Sequence, residues 1–445
     1  MTLFGPLFAP DELRAAFSDQ ACLQGMLDFE AALARAEARV GVIARKATAA
    51  IAACCRAERL NAEAIARAAP NCGNLAIPLV KQLTALVARQ DAEAARFVHW
   101  GATSQDAIDT GLVLQLRQAL PLIEADLKRL SGALAGLAKR HRKTTQVGRT
   151  WLQQALPVTF GLKAAGWLDG VERHRERLAG IRERLLVVQF GGAAGTLAAL
   201  GTKGFDVAEA LARELNLGLP DVPWHGQRDR FAEAAAIFGL IVGSIGKMAC
   251  DISLMMQTEI GEVLEPAGEG RGGSSTMPHK RNPVSCAAVL AAAARAPGLV
   301  ATMLGAMAPE HERGLGVWQA EWVALPELAL LAGGAVRAMA ETVEGLEVNP
   351  ARMAENLDRT KGLILAEAVQ MALGSKIGRS VAHELIEKAS RKAVAEGKTL
   401  GEVLAADKDV RRHLKREEIE HLLDPQHYLG QASAMVDRVL AARKK

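Results

Sequence analysis

The sequence predicts an all-α protein with a bundle of long helices in its middle third. Alanine and leucine dominate the 445 residues, whereas one tyrosine and ten phenylalanines supply few of the side chains that favour strands. Four long segments are apolar without the polar face of a surface helix, so we expect several of them to be buried on all sides. They are residues 108–142, 155–190, 230–264 and 284–306. Such burial suggests helices packing against other subunits, so we expect an oligomer.

The length of the chain predicts more than one domain, because single cores rarely grow beyond about 250–300 residues. We place an N-terminal helical domain at 1–107 and the central long-helix bundle at 108–350. After Asn349-Pro350 the predicted helices become shorter and more charged. This change indicates a small C-terminal helical domain at 351–445.

Charge and motif content exclude several classes of function. The 54 basic and 50 acidic residues nearly balance, so we expect no nucleic-acid partner. The six cysteines form no C-x-x-C pair, which favours reduced thiols in a cytoplasmic protein, and no motif with metal-ligand spacing occurs. No signal peptide is evident. The uncharged run 234–246 is shorter than the roughly 20 residues that span a bilayer, so we expect no membrane contact.

The most informative segment is the loop 272–283, which enters through two glycines and ends on Asn-Pro. Pro283 suits the first turn of a helix, with Asn282 as its N-cap. A helix N-terminus favours an anion, and Lys280 adds a full positive charge. The loop therefore predicts a site for a carboxylate or an oxyanion.

Two serines, Ser274 and Ser275, lie in this loop beside Lys280. A serine hydroxyl acts as a base only where N–H donors and cations stabilise its alkoxide. The loop offers both kinds of group. We therefore predict that these three residues are catalytic and move a proton on the carbon beside a carboxylate.

Two further polar clusters precede long apolar segments. In 99–106, the hydroxyls of Thr103 and Ser104 could bind an anion or could simply cap the next helix. In 148–157, polar side chains come before Pro157, which is also a common helix start. The glycine-rich stretch 191–196 has no Lys-Ser/Thr after it, so we expect a tight turn there and not a phosphate loop.

Taken together, these three clusters resemble, in order, the three signature regions of the fumarase/aspartase superfamily. The resemblance spans the whole chain, and its third region is the most specific. It implies a three-domain helical fold whose central helices form the 20-helix core of a homotetramer. It also implies that each active site takes one region from each of three subunits.

Within the superfamily, the chain looks most like the cycloisomerases that act in aromatic catabolism. Trp151 stands where fumarases and adenylosuccinate lyases have a histidine, and the segments 312–322 and 360–368 are typical of cycloisomerases. Lyases expel poor leaving groups that need a proton donor, whereas opening a lactone releases a stable carboxylate. The resemblance therefore implies intramolecular addition of a carboxylate across a C=C bond, with Trp151 shaping the pocket.

The resemblance also assigns the remaining site residues. The substrate would be a small tricarboxylate, so several donors and cations must converge on it, and we expect no cofactor. Ser274 would be the acid/base, supported by Ser275. The residues expected to bind substrate are His99, Thr103, Ser104, Thr150, Trp151, Gln153, His279, Asn282 and Arg313.

Two other functions stay open at this point. The stretch 224–230 also resembles adenylosuccinate lyases, which cleave a C–N bond and release fumarate. A structural protein on the same fold, like the lens crystallins related to argininosuccinate lyase, is the second alternative. Ser274, Lys280 and Asn282 argue against that second reading, and His225 and His311 fit a structural role as well as a substrate contact.

Overall fold

The computed structural model describes residues 3–268, 272–273, 277 and 279–443, and these residues are mostly helical. This confirms the prediction of an all-α protein. The helices are α1 Gly5–Phe8, α2 Asp11–Ala16, α3 Asp19–Val40, α4 Arg45–Cys54, α5 Ala62–Cys72, α6 Ala76–Gln90, α7 Ala92–Ala95, α8 Ser104–Arg140, α9 Phe160–Leu185, α10 Gly204–Leu215, α11 Asp229–Met255, α12 Val284–Gly305, α13 Val317–Glu344, α14 Pro350–Asp358, α15 Ala366–Ile377, α16 Arg379–Glu396, α17 Leu400–Ala406, α18 Lys408–Arg411, α19 Arg416–Leu422 and α20 Ala432–Ala442. The strands are β1 Thr145–Thr150, β2 Gln153–Thr159, β3 Val263–Leu264 and β4 Glu347–Val348.

The chain packs as two compact units. The first comprises Met1–Lys128, Arg173–Gly246 and Ala288–Ala338, and the second comprises Arg129–Glu172, Lys247–Ala287 and Met339–Lys445. The division into 1–107, 108–350 and 351–445 stays a prediction.

In the first unit, α3 is a largely buried helix. Ser18 caps its start, with the side-chain oxygen accepting from the Ala21 amide at 3.2 Å, and Gly41 ends it at a φ of 76°. Small and aliphatic residues let α3 pack against α4 and α10, and Leu27 and Phe29 are fully buried. The same helix carries charged Glu30 into this core.

In the second unit, β1 and β2 form an antiparallel hairpin, and β3 pairs with β4. A bulge lies between Val147 and Arg149, at Gly148. A Cβ at Gly148 would come within 2.6 Å of the Leu156 carbonyl oxygen, so the bulge requires glycine. The C-terminal helices α15, α16, α17 and α19 enclose a separate apolar cluster that includes Leu373.

The hairpin corrects one prediction from the sequence. Residues 155–159 are strand and not the start of a helix, and Pro157 pairs with Val147 inside the hairpin. Proline fits because the sheet has only two strands, so each strand has a free edge. The helix predicted to start near residue 108 begins earlier, at Ser104.

Three of the long helices are apolar and long enough to cross a membrane, by length and composition alone. These are α11, α12 and α13. In the most apolar 18-residue stretch of each helix, the share buried in the described protein is 56% for α11, 22% for α12 and 67% for α13. The short uncharged run 234–246 therefore understates the apolar length of α11. Low burial leaves α12 with a large apolar surface on the single chain.

Candidate active site

The first signature region is held in place by the buried carboxylate of Asp106, in the first turn of α8. One oxygen, Oδ2, accepts from the backbone amides of Thr103 and Gly192, both at 3.0 Å. The other, Oδ1, accepts from the Gly191 amide at 3.0 Å and lies 2.7 Å from His225 Nε2. Asp106 thus ties the region 99–106 to the glycine-rich turn 191–192, and His225 is buried as a structural partner.

Arg313, a predicted substrate-binding residue, lies against this region. Its guanidinium donates to the Gln105 side-chain oxygen at 3.0 Å, and to Thr103 Oγ1 and the Ala193 carbonyl, both at 3.1 Å. These bonds use three of the five N–H donors that arginine carries. The structure therefore brings two predicted site residues, Thr103 and Arg313, into direct contact.

Beneath this contact lies a buried ionic network that the sequence did not predict. Arg228 donates to Asp109 at 2.7 and 3.2 Å and to Glu321 at 3.0 Å, and the Trp318 indole donates to Asp109 at 3.0 Å. Burial alone would lower the pKa of Arg228, but the two carboxylates outweigh it and raise that pKa. The Gln105 amide donates to Asp109 at 3.1 Å. The network therefore fixes the side chain of Gln105, which accepts a hydrogen bond from Arg313.

A signal for this network exists in the sequence. Asp106 and Asp109 sit one turn apart near the start of α8, a spacing that puts both on one face. Arg228, the partner of Asp109, lies in the 224–230 stretch that also resembles adenylosuccinate lyases, and in this fold it is buried between Asp109 and Glu321.

His99 adopts a backbone conformation that is uncommon for a residue other than glycine, with a φ of 58°. Its Nδ1 lies 2.5 Å from Glu30 Oε1. Burial lowers the pKa of His99, but the charge and hydrogen bond of Glu30, with a smaller effect of Asp106, raise it overall. Ser104 is half-buried at the first position of α8.

The second signature region is the tip of the β1–β2 hairpin. Thr150 pairs with Gln153 across a two-residue turn made by Trp151 and Leu152, which have φ values of 55° and 63°. The Trp151 side chain is 98% exposed on the single chain. The tip therefore projects a large apolar ring, flanked by the two predicted polar residues.

The hairpin is anchored within the second unit by Arg149. Its guanidinium forms two hydrogen bonds with Glu262, at 2.7 and 2.9 Å, and the Glu262 side chain is buried. Two amides, from Gln146 and Asn356, also donate to Glu262, at 2.6 and 2.9 Å. Every one of these donors stiffens the base from which the tip projects.

The third signature region is described only in part. Ser274 and Ser275, the predicted catalytic serines, lie outside the described residues. Gly272 takes a φ of 68°, and its carbonyl accepts from the Asn282 amide at 2.8 Å, so the two ends of the loop meet. A Cβ at Gly272 would come within 2.8 Å of the Asn282 carbonyl oxygen, so this position requires glycine. His279 and Lys280 are exposed.

The start of α12 corrects the predicted anion site. Asn282 is not the N-cap, because the Pro283 carbonyl accepts the first helical hydrogen bond and α12 begins at Val284. Two amides of the first turn, Ser285 and Cys286, donate instead to the buried Glu265 carboxylate, at 3.2 and 2.9 Å. These two donors are therefore taken by the protein, and Lys280 is left as the cationic part of the predicted site.

The two units divide the predicted site residues between them. The first unit contains His99, Thr103, Ser104 and Arg313, and the second contains Thr150, Trp151, Gln153, His279, Lys280 and Asn282. Over the described part of the chain, no group of three or more His, Cys, Asp or Glu side chains could hold a metal ion.

Comparison with known proteins places the chain in a family. A family model described as lyase matches residues 8–298, and one described as adenylosuccinate lyase C-terminus matches residues 362–439. The 3-carboxy-cis,cis-muconate cycloisomerase of Pseudomonas aeruginosa is 58% identical over 99% of this chain and 96% of that protein. The enzyme of the same name from Bradyrhizobium diazoefficiens is 56% identical, over 98% and 97%.

Solved structures agree with this placement. The crystal structure of 3-carboxy-cis,cis-muconate lactonizing enzyme from Pseudomonas putida superimposes with a TM-score of 0.94 at 54% identity, covering 99% of both chains. A fumarate lyase from Mesorhizobium superimposes with a TM-score of 0.90 at 46% identity, covering 98% and 99%. The chain therefore belongs to the fumarase/aspartase superfamily of lyases.

Proposed function

We propose that this chain is a 3-carboxy-cis,cis-muconate cycloisomerase of the protocatechuate branch of the β-ketoadipate pathway. One observation carries the choice within the superfamily: the tip of the second signature region presents an indole, Trp151, and no proton donor for a poor leaving group. Full-length relatives that bear this enzyme name, at 58% and 56% identity, support the same choice.

The proposed reaction is an isomerisation that needs no co-substrate, and the one proton that the ionised substrate takes up on becoming a lactone comes from water. A carboxylate oxygen of the substrate attacks a conjugated C=C bond and forms the C–O bond of a γ-lactone, 4-carboxymuconolactone. The displaced electron pair moves toward another carboxylate as an enediolate, and a proton is then delivered to the carbon beside it. Such a step needs stabilisation of the developing negative charge, which fixed donors and cations supply best. We expect no cofactor.

In this proposal Ser274 delivers the proton, Ser275 supports it, and Lys280 with Asn282 stabilises the enediolate. Exposure of the Lys280 side chain leaves it free to reach a ligand. The other carboxylates would be bound by the remaining predicted residues. These are His99, Thr103, Ser104, Thr150, Gln153, His279 and Arg313, with Trp151 shaping the pocket.

We further propose a cytoplasmic homotetramer, built on a 20-helix core, in which each site draws on three subunits. The exposed apolar surface of α12 supports this, because an apolar face of this size is rarely left in water. The exposed Trp151–Leu152 tip supports the tetramer as well, because insertion into a neighbouring copy would remove its apolar surface from water. Light scattering coupled to gel filtration tests the stoichiometry.

Mixing two inactive variants tests the sharing of sites. Ser274→Ala and Trp151→Ala subunits, unfolded together and reassembled, should recover part of the activity, because some hybrid sites then combine an intact serine with an intact tryptophan. Reassembly of each variant alone is the control. No recovery from a well-formed hybrid tetramer would place both residues on the same subunit.

The activity itself is tested with 3-carboxy-cis,cis-muconate and purified, chelator-treated protein. Loss of the conjugated-diene absorbance with formation of the lactone is expected, and Ser274→Ala should lower turnover by at least about a hundredfold. Release of fumarate from adenylosuccinate, with no lactone formed, would replace this proposal by the lyase alternative. A folded protein inactive on both substrates would favour a structural role.

A further inference from the structure

The carboxylate of Glu30 is buried in the core of the first unit with a single described partner. Its Oε1 lies 2.5 Å from His99 Nδ1, its Oε2 has no hydrogen-bond partner among the described residues, and its side chain is 1% exposed. A buried charge that has lost its partner is strongly destabilising, because desolvation is then uncompensated. A positive His99 is therefore the arrangement that accommodates a charged Glu30.

Part of the His99 imidazole remains accessible although the ring contacts Glu30. The imidazole keeps 18% of its side-chain surface exposed although Nδ1 is occupied, and over the described chain Nε2 makes no hydrogen bond. A non-glycine residue held at a φ of 58° stores strain that only a well-defined surrounding maintains. Four residues on, the Thr103 hydroxyl contacts Arg313. The free ring nitrogen thus belongs to the region that holds the predicted carboxylate donors.

We propose that Glu30 is a positioning residue, which holds His99 as an imidazolium whose Nε2–H donates to one carboxylate of the substrate. This inference rests on the proposed function, because it assumes a polycarboxylate ligand. Glu30 touches no substrate itself. It fixes the ring orientation and the charge, and a charge-assisted hydrogen bond from a cation to a carboxylate is stronger than a neutral one.

The charged groups that act on His99 come from two elements. Glu30 projects from α3, and Asp106 projects from α8 while it also contacts His225. Both are acidic, so both favour the protonated ring, in opposition to the effect of burial.

Glu37, two turns further along α3, supplies a matched control. It is fully buried, and neither of its oxygens has a hydrogen-bond partner in the described part of the chain. Burial, and next the charge of Glu30, raise the pKa of Glu37 to about 9, so Glu37 is neutral around pH 7. Replacement of Glu37 by neutral glutamine therefore repeats the side-chain change of Glu30→Gln without removing a charge.

The experiment compares Glu30→Gln with Glu37→Gln, using 3-carboxy-cis,cis-muconate from about pH 5.5 to 8.5, a range that brackets the ordinary histidine pKa of about 6.5. At the alkaline end, Glu30→Gln should raise KM about tenfold and change kcat by less than about threefold. This pattern is expected when the lost interaction binds the substrate and the transition state equally well. The KM difference should narrow toward the acid end, where an unassisted His99 is protonated. Glu37→Gln should follow the wild type. An unchanged KM for folded Glu30→Gln at every pH would overturn the proposal.

A second measurement does not depend on the substrate. Titration of ¹³Cε1-labelled histidine by NMR, with His99 assigned from the spectrum of His99→Gln, should give a His99 pKa above about 6.5 in the wild type and a lower one in Glu30→Gln. A wild-type His99 that titrates at or below the ordinary value would overturn the proposal even if Glu30→Gln does not fold. A wild-type protein without cycloisomerase activity that still shows the raised titration would reject the proposed substrate and leave the Glu30–His99 pair established.

Discussion

The guanidinium of Arg149 and the carboxylate of Glu262 form two parallel hydrogen bonds, Nη2 to Oε1 at 2.7 Å and Nη1 to Oε2 at 2.9 Å. Glu262 is buried, so its charge has little solvent to stabilise it. Two amide side chains, from Gln146 and Asn356, complete its hydrogen bonding. The pair therefore fixes the hairpin to the rest of its unit, and the orientation of the Trp151 tip depends on it.

Removal of Arg149 should destabilise the protein strongly. Arg149→Met leaves Glu262 as a buried charge without its cation, a change that typically costs about 3–5 kcal/mol. Chemical denaturation followed by circular dichroism measures the loss. The control is Arg416→Met, which breaks an exposed pair with Glu420 and should cost at most about 1 kcal/mol. Equal stabilities of the two variants would show that Glu262 finds other compensation.

The Trp151-Leu152 turn should still form but lose function when its residues are changed to Asn-Gly. Both positions have positive φ, a geometry for which Asn-Gly is the preferred pair in two-residue hairpin turns. We expect the subunit of the double variant to keep its helical fold, measured by circular dichroism, and the tetramer to weaken because the apolar tip is lost. Its cycloisomerase turnover should fall by at least about a hundredfold, because a badly shaped pocket misplaces the reacting atoms. Retained turnover would show that the indole has no role in the site.

Glu265 should matter as a helix cap more than as a charge. The amides of Ser285 and Cys286 donate to different oxygens of Glu265, so Glu265→Gln keeps an acceptor for one of them, whereas Glu265→Ala removes the side-chain acceptor of both. By analogy with other caps, Glu265→Ala should cost about 0.5–2 kcal/mol, and Glu265→Gln less. Denaturation midpoints of the two variants measure the difference. Equal losses in the two variants would mean that the charge, which both remove, and not the cap, is what stabilises this helix start.

The helical class could be predicted because composition and long apolar segments report directly on helix formation. The hairpin could not, because its turn contains Trp-Leu in place of the Asn-Gly or Asp-Gly that signals a two-residue turn. Pro157 added to the error, since the same residue suits a helix start and a strand with a free edge. In this turn, Trp151 and Leu152 adopt positive φ values that their side chains disfavour, as expected where the sequence serves a predicted functional region and not the turn itself.

Candidate site residues could be named from the sequence where they are close together along the chain. Thr103, Ser104 and the 272–283 loop were predicted because hydroxyls, glycines and a cation cluster within a few positions, and they stay predictions. The cap on α12 was missed because Glu265 lies twenty residues before the amides that it accepts from. The partners of Arg228 were missed for the same reason, since Asp109 and Glu321 lie 119 and 93 residues away. Long-range polar pairing leaves no periodic trace in a single sequence.

The neutral carboxyl of Glu37 should make the protein less stable as the pH rises. Burial, with the nearby charge of Glu30, raises its pKa from the ordinary 4.5 to about 9 in the folded protein. Because the folded state then binds the extra proton, this contribution to stability is fully present below about pH 4.5 and is lost progressively up to about pH 9. Replacement by a neutral residue should abolish this part of the pH dependence.

Denaturation midpoints at several pH values between about 6 and 9 compare the wild type with Glu37→Gln. The stability of Glu37→Gln relative to the wild type should increase with pH, by at most about 1.4 kcal/mol for each pH unit. Glu93→Gln, at an exposed position, is the control and should run parallel to the wild type. A constant difference between Glu37→Gln and the wild type would mean that Glu37 is already ionised in the fold, which would contradict the raised pKa of its carboxyl.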